Sequence, residues 1–321
     1  MTKMALKGNS ACTAEAPTAA VITVCTHRKR AQPSFAATPV SLPLGSQEAV
    51  QTAWIEKIRT APTNAAANEL YAGRGFGLAI EAAKIASGKL YILSAGLGLV
   101  AGDQQIPVYG LTVSGGHTDS VSSRVTGRLD VASWFSAVLS SPYSEPWTDV
   151  VSENSGRILV ALTRPYARMV GQSLSTLEPQ ALARLRIFGA SLASDLPASL
   201  HPALTPYDHR LNAVFPGTCA DFPQRALLHF VRSVAIRHDA QDRDADHAAV
   251  AAALRGVAAP DRLHRPRRTD EEILQLIAMR LRSQSGIAQI LRALRDEDGV
   301  ACEQSRFSRL YRTALEHREM A

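Results

Sequence analysis

The chain has 321 residues, 46% of them hydrophobic and 20% charged, with a formal net charge of +6. Those proportions suit a soluble globular protein of about two domains at the usual ~150 residues each. No stretch approaches the roughly 18 apolar residues that a membrane-crossing helix needs.

The start, MTKMALKGNSACTAEAPTAA, carries two lysines without a continuous apolar core behind them, so residues 1–20 read as a disordered lead-in rather than a signal peptide. From Val21 to Ile236 strand-like and helix-like runs alternate. VITVCT is a first buried strand, followed by AANELYAGRGFGLAIEAAKIA, amphipathic through Leu70, Leu78, Ala82 and Ile85. LYILSA is a second strand, and DVASWFSAVL a helix with Trp134, Phe135 and Val138 inward. RILVALT is a third strand, after which Pro165 opens a helix from its tolerated first turn. RLRIFGAS is a fourth, and DFPQRALLHFVRSV closes the series as a helix. The alternation predicts an α/β domain over 21–236, with about four mostly parallel strands and helices on both faces.

The texture changes over 237–268, where HDAQDRDADHAA and PDRLHRPRR flank one short Ala-rich helix, and this segment reads as a linker. Residues 269–321 read as three helices. The first opens with a capping box, Thr269 and Glu272, and places Ile273, Leu276, Ile277 and Leu281 on one face. The second aligns Ile287, Ile290, Leu291 and Leu294, and ends near Asp298-Gly299. The third turns Phe307, Leu310, Tyr311 and Ala314 inward, with Arg306, Arg309 and Arg312 on the other side. This is the pattern of a small all-α helix-turn-helix domain. In that reading Gln304, Ser305 and Ser308 meet base edges while the three arginines take phosphates or guanines. The competing reading is a helical bundle with a solvated basic face, its charge diluted by Glu303, Glu316 and Glu319. Only the first predicts salt-dependent DNA binding. The sequence pI of about 9.3 and the excess of Arg over Lys are compatible with nucleic acid without establishing it.

Candidate site residues follow from the strand ends, where ligands bind in parallel sheets. Cys25 to Arg30 leaves the first strand with His27, Arg28, Lys29 and Arg30 in succession, which suits a phosphate held by backbone N–H groups and cations, or equally a basic surface turn. Cys25 is either a nucleophile activated by those cations or a small buried hydrophobe. Ser94 has no identifiable His–Asp partners, so a serine hydrolase is not supported. GLGLVAGD lacks the third glycine of a dinucleotide fingerprint and opens into no helix. Gly96 and Gly98 instead permit a positive φ or a close approach. Tyr109, just after Pro107, covers the strand ends or fills the core. Arg164 stands between a strand end and a helix start, a favourable anion position. Asp208, His209 and Arg210 offer an acid–base pair or a loop-stabilising ion pair, and Asp221 is placed to cap the following helix. Cys12, Cys25, Cys219 and Cys302 lie far apart with no CxxC pair, so no zinc site is expected, no cofactor is called for, and a reducing cytoplasm fits best.

VITVCTHRKRAQP, ANELYAGRGF, LYILSAGLGLV and IPVYGLT follow one another in order over Val21 to Ser114, about a third of the chain. Together they resemble an uncharacterised bacterial domain family related to the YaaA peroxide-stress proteins. That family has a Cys-x-x-x-Lys turn, an LY-x-G-x-x-F helix, a strand ending SA-x-x-GL and an (I/V)-x-P-Y-x-x-x-L loop. Cys25, Arg28, Lys29 and Arg30 match the turn, Tyr71, Gly73 and Phe76 the helix, and Ser94, Ala95, Gly98 and Leu99 the strand end. The chain departs at Gly96 and Leu97, where the family carries polar, basic or aromatic side chains. The resemblance implies a uracil-DNA-glycosylase type of α/β fold and work on nucleic-acid bases, with hydrolysis or exchange at a glycosidic bond. The expected function is that of a DNA-associated protein of modification, repair or phage-defence type. Its nucleotide or base pocket would lie at Cys25–Arg30, Ser94–Gly98, Tyr109, Arg164 and Arg210, with Asp208 activating water. The alternatives are a non-enzymatic DNA-binding or DNA-protecting protein, and a ligand-sensing transcription regulator.

Overall fold

A computed structural model describes residues 18–34, 37–235, 242–260, 266, 268–283 and 286–319, with the side chains of Ser305 and Glu319 excepted. The expected disordered start, 1–20, lies outside the described residues up to position 17. In chain order the elements of the first unit begin with β1 (Ala20–Val24), α1 (Gln47–Thr60), β2 (Thr63–Ala66), α2 (Ala67–Leu70) and α3 (Arg74–Ile85). There follow β3 (Lys89–Ser94), β4 (Gly98–Ala101), β5 (Gln105–Pro107), α4 (Val131–Val138) and α5 (Trp147–Glu153). The unit continues through β6 (Ile158–Ala161), α6 (Arg164–Ser175), α7 (Pro179–Arg184), β7 (Leu185–Phe188), α8 (Leu211–Val214), α9 (Phe222–Ser233) and α10 (Arg243–Ala253). A second unit holds α11 (Asp270–Arg280), α12 (Ile287–Asp296) and α13 (Gln304–Glu319).

The four expected strands form a contiguous parallel set, β3-β1-β6-β7, within a five-stranded sheet of order β4-β3-β1-β6-β7. The fifth strand, β4, is antiparallel to β3, with Ser94 opposite Gly98. The sequence from Gly96 onward therefore does not leave the sheet as a loop. It reverses over Ala95–Leu97 and returns along β3. The far edge of β4 is covered where Glu145 N–H donates to Leu99 O at 2.6 Å and Leu99 N–H to Ser144 Oγ at 3.0 Å, as exposed strand edges generally require.

Pleating sends alternate residues to opposite faces. Ile22, Val24, Ile158 and Val160 face one core with Trp54, Trp134, Phe135 and Val170, whereas Val21, Leu159 and Ala161 face another with α3 and α9. Both faces are thus helix-covered. The expected helix across AANELYAGRGFGLAIEAAKIA is broken at Tyr71–Gly73, where Gly73 takes φ +109°. Its buried face is Phe76, Ala79, Ala82 and Ala83, and Ile85 is exposed. Small residues are required there because α3 lies against α9, with Gln224 Oε1 only 3.3 Å from where a Cβ on Gly75 would stand.

The first compact unit runs to Pro260, past the expected boundary at Ile236. α10 is the reason. Val250 and Leu254 are buried in the α9 core, and Asp246 is fully buried against Arg157 and Arg186. The short helix read as part of a linker is a docked element, while 237–241, 261–265 and 267 of that linker lie outside the described residues.

In the second unit the capping box forms as expected, with Thr269 Oγ1 accepting from Glu272 N–H. Ile273, Ile277, Leu281, Ile290, Leu294, Phe307, Leu310, Tyr311 and Ala314 make its core. Ile287, expected inward, is 47% exposed. Gly299 turns the chain between α12 and α13 with φ +62°. Among the described residues no helix is long and apolar enough to cross a membrane.

Candidate functional site

The chain passes from β3 back across β1 to reach β6, so β1 ends at a topological switch point, the crevice where open α/β sheets place ligands. Cys25 follows β1 there, its N–H donating to Leu93 O at 2.9 Å, and its Sγ lies 2.9 Å from the hydroxyl of Tyr166 in the first turn of α6.

The next residues are stitched to α2. Arg30 N–H donates to Leu70 O and Ala72 N–H to Arg28 O, both at 2.9 Å. This strand-like pairing of Lys29 with Tyr71 turns Arg28 and Arg30 outward and Lys29 inward. The Arg30 N–H is thereby spent on the protein, so the turn does not present a free row of backbone donors. A two-stranded ladder of β2 with β5 joins the approach to Tyr71 to the approach to Tyr109. The two phenols consequently meet, with 2.8 Å between hydroxyls. The Lys29 ammonium sits 4.8 Å from the Tyr109 ring centre and 5.7 Å from that of Tyr71. Among the described residues its one protein acceptor is Thr26 O at 3.4 Å, leaving two of three ammonium donors for a ligand.

Ser94 holds this arrangement from behind. Its Oγ accepts from Gly96 N–H at 3.2 Å and Leu97 N–H at 2.9 Å, and it lies 2.5 Å from the Tyr109 hydroxyl. With both lone pairs used, the serine proton must go to Tyr109. Tyr109 then donates to Tyr71, and the Tyr71 proton is the one left to face the site. Trp54 and Trp134 donate to Gly96 O and Ala95 O at 2.7 and 2.8 Å. A Cβ at Gly96 would lie 2.7 Å from the Tyr109 ring, and Gly98 takes φ +86°. The close approach and positive φ expected of these glycines are both present, and both serve the protein itself.

Burial pushes Tyr71, Tyr109 and Tyr166 well above the ordinary phenol range, with the neighbouring Cys25 adding to it, so all three stay hydrogen-bond donors. Burial lowers the Lys29 amine below its ordinary value, against the opposing pull of Cys25 and Asp119. Asp119 enters because Thr112, three residues after Tyr109, pairs with its neighbour: Thr112 N–H donates to Asp119 O, and Val121 N–H to Thr112 O. Its Oδ2 lies 3.0 Å from His27 Nδ1, whereas its buried Oδ1 has no hydrogen-bond partner among the described residues. The His27 and His117 rings lie 5.4 Å apart beside it. Tyr109→Phe is expected to strand the Ser94 and Tyr71 hydroxyls and lower stability by about 1–3 kcal/mol, measured by urea unfolding.

The structure thus brings together Cys25, Lys29, Ser94 and Tyr109, with Tyr71 from the quoted helix motif. Comparison with protein-family models, curated proteins and solved structures finds no match. The cluster therefore stands on its geometry alone.

Three expected residues do not join it. Asp208 is exposed and bound by Arg210, whose Nε reaches its two oxygens at 2.9 and 3.0 Å. That contact depresses the Asp208 carboxyl below its ordinary value, making it a weaker base, and the ion-pair reading is the one observed. Arg210 is spent on the same pair and on Leu254 O at 3.3 Å. Arg164 reaches Asp195 at 2.6 Å, as does Arg168, so the expected gathering of Asp208, Arg164 and Cys25 does not form. Asp221 holds the N-cap position without capping: its Oδ1 accepts from Thr218 N–H and Arg225 Nε, at 2.8 and 2.9 Å.

Arg164, then Arg168, hold the Asp195 carboxyl below its ordinary value. A depressed folded-state pKa contributes stability fully present above the unfolded value of about 3.9 and lost as pH falls through the lower folded value. Acid titration of Asp195→Asn should show a shallower loss of stability below that pH than the parent chain.

In the second unit, Arg306 Nε and Arg309 Nη2 fork the two oxygens of Asp270, at 2.7 Å each, and Arg306 also donates to Arg268 O. Two of the arginines expected to face outward are therefore engaged within the unit. Arg312 is exposed, with Nε 3.3 Å from Ser308 O. Gln304 and Ser308 line a groove of about 480 Å³ with Ile287, Leu291, Arg292 and Phe307. The Ser305 side chain lies outside the described residues.

Proposed function

We propose that the α/β unit binds a nucleotide or a nucleic-acid base at the Cys25–Lys29–Tyr71–Tyr109 cluster, in a DNA-associated protein of modification, repair or phage-defence type. The observation that carries this is the convergence of residues from four separated sequence motifs on one buried polar cluster at a switch point. Two ammonium donors without a partner among the described residues, and the Tyr71 proton, suit the carbonyl, ring-nitrogen or phosphate acceptors of such a ligand.

The chemistry this supports is release or exchange of a base at a glycosidic bond. Asp119 Oδ1 replaces Asp208 as the carboxylate that takes a proton from water, oriented by His27 on its other oxygen. The departing base receives the electron pair of the broken C–N bond and a proton from Lys29 or Tyr71. The three C-terminal helices act as a helix-turn-helix on DNA, with Gln304 and Ser308 as the base-edge groups and Arg292 and Arg312 toward phosphate. A binding-only role in DNA protection is the outcome if the cluster binds bases without releasing them.

The test is titration of the full chain against duplex and single-stranded DNA at two salt concentrations, beside a Gln304→Ala/Arg312→Ala chain. Binding that falls steeply with salt and weakens in the variant supports docking through the tail. Equal, salt-independent binding of both chains sinks it.

A further inference from the structure

We infer that Lys29 is a nucleophilic amine that captures the open-chain aldehyde of a sugar phosphate as an imine. This rests on the base-release reading, since the product left by that step is a sugar whose open form is such an aldehyde.

An imine-forming lysine needs three things. It must have a nitrogen lone pair available, a nearby group to move protons, and walls that exclude bulk water. The Lys29 amine lies against the faces of Tyr109 and Tyr71, and among the described residues it has a single long bond of 3.4 Å to Thr26 O and no carboxylate within ion-pair distance. Removal from water at that position lowers the amine pKa and so raises the share of neutral amine. Asp119 Oδ1, buried and unpartnered, is a proton acceptor, and the Ser94–Tyr109–Tyr71 chain delivers a proton from the other side. The remaining described lysines, Lys57, Lys84 and Lys89, have no such setting. Lys89, for example, is paired with Glu153 at 2.8 Å, which raises its amine pKa.

The Lys29 Nζ lone pair forms a bond to the aldehyde carbon, and the C=O π pair moves to oxygen, which takes a proton from Tyr71, restored from solvent. Nζ loses a proton to Asp119 through a water molecule. The carbinolamine oxygen then takes that proton back from Asp119 by the same water and leaves as water, giving a protonated imine. Nothing is oxidised or reduced until an added borohydride supplies hydride to the imine carbon and fixes the adduct as a secondary amine.

The experiment incubates the full chain with sodium cyanoborohydride and either an oligonucleotide carrying an abasic site or ribose 5-phosphate, followed by intact-mass and peptide mapping. The expected result is one adduct per chain, mapped to Lys29, and reduced at least tenfold in Lys29→Arg, which keeps the charge. An adduct with the oligonucleotide alone assigns the aldehyde to DNA, one with ribose 5-phosphate alone assigns it to free sugars, and either supports the shared chemistry. No adduct with either probe, an adduct spread over the other lysines, or one undiminished in Lys29→Arg overturns it. Mapping on the parent chain decides the matter even if the variant fails to fold. Nucleotide binding, followed separately by tryptophan fluorescence, reports failure of the base-handling reading independently of the trapping result.

Discussion

Asp246→Ala is expected to lower the unfolding free energy of the first unit by about 3–5 kcal/mol, the usual cost of breaking a buried ion network from one side. Asp246 is fully buried, with Oδ2 accepting from Arg186 Nε at 2.7 Å and Arg157 Nε at 3.0 Å, and Oδ1 from Arg157 Nη2 at 2.9 Å. Arg186 has no exposure of its own, and burial lowers its pKa. Removing Asp246 leaves two guanidiniums facing each other around a void. It also removes a charged anchor that holds α10 against the starts of β6 and β7. Urea unfolding of the full chain, followed by far-UV circular dichroism, measures the loss. A change below about 1 kcal/mol would show that α10 is held by Val250 and Leu254 alone.

Lys29→Met is expected to cost about 10- to 100-fold in nucleotide affinity while leaving the fold intact. A hydrogen bond to a charged group contributes about 1.5–3 kcal/mol, which converts to that range of affinity. Methionine keeps most of the side-chain length against the Tyr71 and Tyr109 rings and removes a partly desolvated cation, so stability should hold or rise slightly. Loss of affinity with unchanged melting separates a binding role from a structural one. Parallel loss of both assigns Lys29 to packing.

Much of the fold was legible because buried parallel strands are continuous apolar runs, and VITV, LYILS, ILVA and LRIF each became one. The edge strand GLVA was not, since two glycines at its start looked like an exit from the sheet, when they are what lets it turn back beneath Tyr109. α10 was read as linker because its composition is charged and Ala-rich. Nothing local shows that Asp246 answers two arginines some 60 and 89 positions away.

The site was half legible. Cys25, Lys29, Ser94 and Tyr109 were named from strand ends and motif order. Asp119 lies in a polar Gly/Ser loop without periodicity and reaches the cluster through the pairing of Thr112 with Ser120 and its contact with His27. Tyr166 was passed over for Arg164, two residues earlier, whose charge made it the more conspicuous anion ligand. Asp208 and Arg210 show the opposite failure: their residue types suit chemistry, and their proximity makes them satisfy each other.

The most direct test of the account is a titration of the full chain with mononucleotides and free bases, read by tryptophan fluorescence. Trp54 lies 6.1 Å from the Tyr109 ring and donates to Gly96 O, so it reports on occupancy of the cluster. The account predicts saturable quenching or enhancement by at least one base-bearing ligand, weakened tenfold or more in Lys29→Met. No saturable response to any of them, or a response unchanged in Lys29→Met, would contradict it.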